Sequence, residues 1–189
     1  PDRLALLTAM DRPLGRACGN ALETEEAIHA LHGEGPPDLM EVTYALGAEM
    51  LLLAGAAPDR REARRRMESA IAQGDAARQF QRIIEAQGGN PAVVDDPALL
   101  PQAQECELFA APRRGFVVHV APRTIGYGIT RLGGGRTRTT DSVDPTVGFV
   151  ITARPGDWVE AGEPLATVFA RDAGGVAAGR ECLGEAIVI

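Results

Sequence analysis

Few side chains in this 189-residue chain stand at spacings that could do chemistry. The run Leu132-Gly133-Gly134-Gly135-Arg136-Thr137-Arg138 could cradle an anion, because glycines let backbone N–H groups come close and two arginines supply positive charge. It lacks G-x-x-x-x-G-K-[ST] and the strand-to-helix setting of a P-loop, and Thr139-Thr140-Asp141 and a strand follow it. The favoured reading is a glycine-rich turn. His29 and His32 stand at i, i+3 on a helix with Glu25 and Glu26 nearby, a spacing open to a transition metal. With two imidazoles and no evident third ligand, they are expected to face solvent. His119 has no serine or cysteine partner that would suggest a triad, so a structural role is expected. Arg60, Arg61, Arg64, Arg65 and Arg66 are interleaved with Asp59, Glu62 and Glu68, the pattern of a solvated helix face rather than an anion patch. There is no acid/base pair of carboxylates at helical spacing, no nucleophile elbow and no nucleotide fingerprint.

Composition narrows the field further. All 19 basic residues are arginine, so Schiff-base, lipoyl or biotinyl chemistry on a lysine is excluded within the chain. A net charge of −7 argues against a dedicated nucleic-acid binder. Cys18, Cys106 and Cys182 are odd in number and far apart, with no C-x-x-C, which speaks against a disulfide framework or zinc site. A reducing cytoplasm is the expected home. No apolar run approaches the length of a membrane span, so no membrane is expected as a partner.

The elements that must carry these residues fall into two regions. Leu4–Leu7 reads as a short buried strand, and Asp11–Gly15 as a loop. Asn20, three residues ahead of Glu23, starts a helix whose Leu22, Ala27, Ile28 and Leu31 share a core face until Gly33. Pro36-Pro37 opens a second helix, with Leu39, Val42, Leu46, Met50 and Leu53 at the 3.6 period. Leu51 and Leu52 widen that stripe, so the second half of the helix is expected to be buried on most sides, with Glu49 its polar exception. Asp59 caps a third helix to about Gln73, and Gly74-Asp75 begins a fourth that ends at Gly88-Gly89. The proline-punctuated stretch 90–104 reads as a linker. Beyond it Phe116–Val120, Gly148–Thr152 and Leu165–Phe169 read as strands. Pro155–Leu165 has the form of the hairpin in biotinyl/lipoyl-like barrel-sandwich domains, without the lysine a carrier needs.

Taken together, Met10–Glu23, Gly33–Leu39, Gln87–Asn90, Asp95–Pro97, Leu132–Arg136 and the Gly156-Asp157 turn resemble the thymidine phosphorylase/pyrimidine-nucleoside phosphorylase family, in family order. The match corresponds to the C-terminal portion of the family. The resemblance implies an α+β fold: residues 1–104 as the helical C-terminal part of an α/β domain with its linker, and 105–189 as a small β-rich, barrel-sandwich-like domain. It implies, for the parent enzyme, reversible phosphorolysis of pyrimidine (deoxy)nucleosides, with phosphate as co-substrate and free base and (deoxy)ribose 1-phosphate as products. Homodimerisation through a domain outside this chain is implied as well. The lysines, histidine, serines and arginine that do this in the family lie upstream, so no catalytic or cofactor-binding residue is assigned here and the chain alone is expected to be inactive. One site carries over: a potassium ion held by the Leu14 and Ala17 carbonyls and the Glu26 carboxylate, weakly or not at all in this portion alone. A related nucleotide phosphorylase and a non-enzymatic hairpin-domain scaffold are the other readings. The first residues read as the middle of a fold, and Ile189 as short of the family's usual end, so a longer parent is expected.

Overall fold

The computed structural model of the chain describes residues 4–189. It contains two compact units, one including residues 4–8 and 26–99 and the other 9–25 and 100–189. Helix α1 (Asn20–Leu31) runs in sequence from the second into the first. Its start is capped by Gly19 rather than by Asn20. The Glu23 N–H donates to the Gly19 carbonyl at 2.8 Å, and the Gly19 N–H donates back to Glu23 Oε1 at 3.0 Å. This is the return half of a capping box. Gly19 adopts φ +140°, and a Cβ there would lie 2.5 Å from the Val147 carbonyl oxygen, which leaves room for glycine alone.

In the helical unit α2 (Pro37–Leu53), α3 (Arg60–Ala72) and α4 (Asp75–Ala86) follow. Asp59 caps α3 by accepting the Glu62 N–H at 2.8 Å, and Gly74, at φ 73°, reverses the chain between α3 and α4. Ala48, Ala57 and Ala63 form the buried seam of α2 and α3, with Leu51 packed on it. The small side chains let the helices approach closely but contribute little apolar area.

Two expectations fail here. Leu4–Leu7 forms no strand; its leucines are exposed, Leu7 completely. The second half of α2 is not buried on most sides: Leu46, Met50 and Leu53 are exposed and Leu51 and Leu52 only half-buried, while Glu49 is the buried charged residue. Glu49 is drawn in because Arg60 at the start of α3 donates its Nε–H to Oε1. The stretch read as linker holds two 3-10 turns, Pro91–Val94 and Pro97–Leu99, and Val94 is fully buried.

The second unit is built on a four-stranded antiparallel sheet. Its strands are β1 (Ala17–Cys18), β2 (Glu105–Ala110), β5 (Gly148–Ile151) and β7 (Pro164–Ala170), in the order β1-β5-β7-β2. Val168 stands opposite Phe149 on one side and Glu107 on the other. Two small ladders complete the strands. One joins β3 (Gly115–Phe116) to β6 (Trp158–Val159), the other β4 (His119–Val120) to β8 (Ile187–Val188). The fold class is α+β, and among the described residues the sheets do not close into a barrel. The segment expected as a hairpin therefore joins two ladders: β6 pairs with β3, and β7 with β5 and β2. Its turn is closed by Glu163 N–H to the Glu160 carbonyl at 3.1 Å and by Glu160 N–H to Glu163 Oε2 at 2.9 Å.

Two helices that the sequence reading missed complete this unit, α5 (Pro122–Leu132) and α6 (Ala173–Ala186). With the strands they bury Ile125, Phe149, Leu165, Val168 and Leu183. Each helix meets Phe149 through a glycine. A Cβ at Gly128 would fall 3.1 Å from the ring and 2.3 Å from Cys182 Sγ; one at Gly179 would fall 3.3 Å from the ring and 2.5 Å from Val168 Cγ1.

Candidate functional site

The glycine run sits where α5 ends. Gly133, at φ 98°, is the left-handed C-cap, and the Gly134 N–H donates to the Ile129 carbonyl at 2.9 Å, a backbone closure that glycine permits. The donors that follow converge on Asp141. Its Oδ2 accepts the Thr137 N–H at 3.0 Å, the Thr137 hydroxyl at 2.7 Å and the Arg138 N–H at 2.8 Å. These bonds, the Thr137 hydroxyl foremost, hold the Asp141 carboxyl below its ordinary range. The chain's own carboxylate thus fills the anion-binding geometry, and the segment is a self-closed turn.

The base of the loop is tied by Asp144. Its Oδ1 accepts the Thr146 hydroxyl at 2.7 Å and the Thr146 N–H at 3.0 Å, while Arg171 donates to Oδ2 at 2.8 and 3.1 Å. The Thr146 hydroxyl is the leading cause of its lowered pKa, against an opposing push from burial, and Arg171 adds to the lowering. Asp141 and Asp144 were missed in the sequence because an acid inside a Thr/Ser-rich loop looks solvated. The available signal was spacing: Asp144 stands two residues ahead of Thr146, as in an Asx turn, and Asp141 three and four residues after Arg138 and Thr137.

Charges elsewhere are spent locally. Glu62 takes Arg65 and Arg66 on the surface of α3, which holds its carboxyl down at about 2, with the Arg65 hydrogen bond the larger cause. Arg64 reaches Glu68 on its own helix and Glu41 on α2. The arginine cluster is a solvated face that also braces α2 against α3. A cleft of about 310 Å³ between these helices is lined by Tyr44, Glu49, Arg60 and Arg64 among others, and its acids and arginines are paired with each other.

His29 Nδ1 lies 3.2 Å from Glu34 Oε2, and the exposed His32 donates from Nε2 to the Val94 carbonyl at 3.0 Å. The exposed His119 is a β4 residue opposite Val188. Among the described residues no group of three or more His, Cys, Asp or Glu side chains could hold a metal. None of the three cysteines forms a disulfide; Cys18 and Cys182 are buried, and burial raises the Cys182 thiol. No described helix is long and apolar enough to cross a membrane.

The three potassium positions are placed as follows. Leu14 is exposed in the loop ahead of β1, and Ala17 is buried in β1 opposite Val150. Glu26 is half-buried in α1, the first residue after the boundary between the units. A hard monovalent cation takes oxygen ligands, and two carbonyls with one carboxylate supply that chemistry.

Residues 2–77 match the glycosyl transferase family a/b domain, and residues 116–189 match the pyrimidine nucleoside phosphorylase C-terminal domain. That order, over the α+β architecture described above, is the order of a protein built from a glycosyl transferase family domain followed by a phosphorylase C-terminal domain. Curated relatives agree: the pyrimidine-nucleoside phosphorylases of Staphylococcus aureus strains USA300, NCTC 8325 / PS 47 and COL are each 42% identical over 167 residues, 88% of this chain. The chain belongs to the pyrimidine-nucleoside phosphorylase family. It spans 39% of the length of these relatives.

Proposed function

We propose that the chain is the C-terminal portion of an enzyme that phosphorolyses pyrimidine (deoxy)nucleosides reversibly, with inorganic phosphate attacking the anomeric carbon and the free base departing. The observation that carries this reading is the succession of the two family matches along one chain, supported by the 42% identity to named phosphorylases. The reaction needs donors around phosphate, groups that stabilise negative charge on the leaving base, and exclusion of water from the sugar. The described residues leave these roles unfilled: the glycine loop is closed on Asp141, Arg60, Arg64, Arg65 and Arg66 of α3 are paired with acids, and there is no lysine. By itself the chain does not turn over.

Its part is to frame the reacting domain. Residues 1–104 serve as the helical end of the α/β domain and 105–189 as the C-terminal module, in a cytoplasmic homodimer. In the complete enzyme Leu14, Ala17 and Glu26 hold a potassium ion, which supplies fixed positive charge that favours phosphate binding. The chain's own contribution is two carbonyls and a carboxylate held at the start of the sheet and along α1.

The test is a chimera in which this chain replaces the matched 167 residues of the Staphylococcus aureus relative. Uridine, thymidine and a nucleoside monophosphate are offered with phosphate, and free base is measured. The expected outcome is phosphorolysis of the nucleosides by the chimera and none by the chain alone. Glu26→Gln should raise the potassium concentration needed for half-maximal rate several-fold. A folded chimera without turnover would end the functional reading; an unchanged potassium requirement would end the ion site alone.

A further inference from the structure

The helical unit has its apolar residues in the wrong place for a self-sufficient domain. Its buried apolar residues are Ile28, Ala48, Ala57, Ala63, Ala77 and Val94, four of the six being alanines. On α2 the larger side chains divide: Leu39, Val42, Leu51 and Leu52 are half-buried, whereas Leu46 is 48% exposed, Met50 70% and Leu53 54%. These last three stand at i, i+4 and i+7, one stripe along one helix face, bordered by the buried Glu49 that Arg60 holds, while Ala48 on the opposite side of α2 packs in the seam with Ala63 of α3. Single exposed leucines are ordinary, but an ordered stripe beside an alanine core is the mark of a missing cover.

What covers it follows from length. The relatives are 42% identical to this chain, yet the match takes up only 39% of them. The larger share of such a protein therefore has no counterpart among these residues. We infer that the Leu46, Met50 and Leu53 face of α2 is the seam on which the remainder of the phosphorylase packs, an apolar surface of the same α/β domain. The inference rests on the functional reading above for its occupant but not for its chemistry. An acid set on this face would be desolvated at the seam at high cost, whereas the same acid on the isolated chain stays in water at almost none.

The experiment compares one substitution in two settings. Leu46→Glu with Met50→Glu, and the milder Met50→Gln, are introduced into the 189-residue chain and into the chimera described above; thermal unfolding and sedimentation are followed. In the chain the double variant should leave the melting temperature within about 2 °C, since the stripe is uncovered there. In the chimera it should lower it by at least about 5 °C, with Met50→Gln giving a smaller drop in the same direction. Equal destabilisation in both settings would show that the chain covers its own stripe, and indifference in both that nothing does; either overturns the inference. A chain that is dimeric until Leu46→Glu/Met50→Glu dissociates it would assign the face to a second copy and overturn it too. A chimera with stripe-dependent stability but no phosphorolysis would leave the seam standing and remove only the activity.

Discussion

The close approach of α6 to the sheet yields a prediction whose sign depends on one neighbour. Gly179→Ala should favour the helix intrinsically by about 1 kcal/mol, since glycine costs that much relative to alanine in a helix interior. The native packing opposes it: the new methyl would lie 2.5 Å from Val168 Cγ1 and 3.3 Å from the Phe149 ring, both residues fully buried. Overpacking of this kind costs about 1–3 kcal/mol, and a separation so far below contact distance places it at the upper end, for a net loss of about 2 kcal/mol. Val168→Ala removes the offending methyl and by itself costs about 1–3 kcal/mol through the cavity it leaves. In that background Gly179→Ala should become stabilising, because the helix gain remains and the methyl now fills space. Urea denaturation of the four proteins, read by circular dichroism and fitted with a common m-value, gives the cycle directly. If Gly179→Ala stabilised the chain with Val168 in place, the packing argument would be wrong.

Two further outcomes follow from the charges of the helical unit. Arg60→Ala should cost more stability than Glu49→Gln, since the first leaves a buried carboxylate without its guanidinium while the second leaves only an arginine that is 71% exposed; equal losses in urea melts would contradict this. Glu62, held at about 2, has a folded pKa below its unfolded value, so whatever it contributes is fully present above the ordinary glutamate range and is lost as pH falls through about 2. Thermal melts of wild type and Glu62→Gln should therefore converge as pH approaches 2, and at neutral pH the gap should shrink with added salt. A gap independent of pH would count against the pairing.

The sequence was readable where local rules decide and opaque where packing does. Asp59 and Gly74 announce the start and end of α3 through cap chemistry, and both stand where expected. α5 and α6 were not anticipated because Gly126, Gly128, Gly174, Gly175 and Gly179 dilute any apolar period. At Gly128 and Gly179 those glycines exist to admit Phe149, a reason invisible along the chain. The exposed part of the α2 stripe misled for a different cause, since periodicity reports which face is apolar but not whether a partner is at hand. The anion geometry at the glycine run was legible, but its occupant was not, because the spacing alone did not mark Asp141 as the acceptor.

The short strand β1 carries a consequence for how the protein can be dissected. Ala17 and Cys18 come from the first tenth of the chain, yet they edge the sheet made by residues far downstream, opposite Val150 and Phe149. A protease or an engineer cutting near residue 104 would not release a finished C-terminal module. The freed piece would lack its rim and present the backbone of β5 to any passing strand, an invitation to aggregate. Sequence neighbours and structural neighbours are shuffled here, so a gene fusion that exchanged only the downstream half would inherit a torn edge.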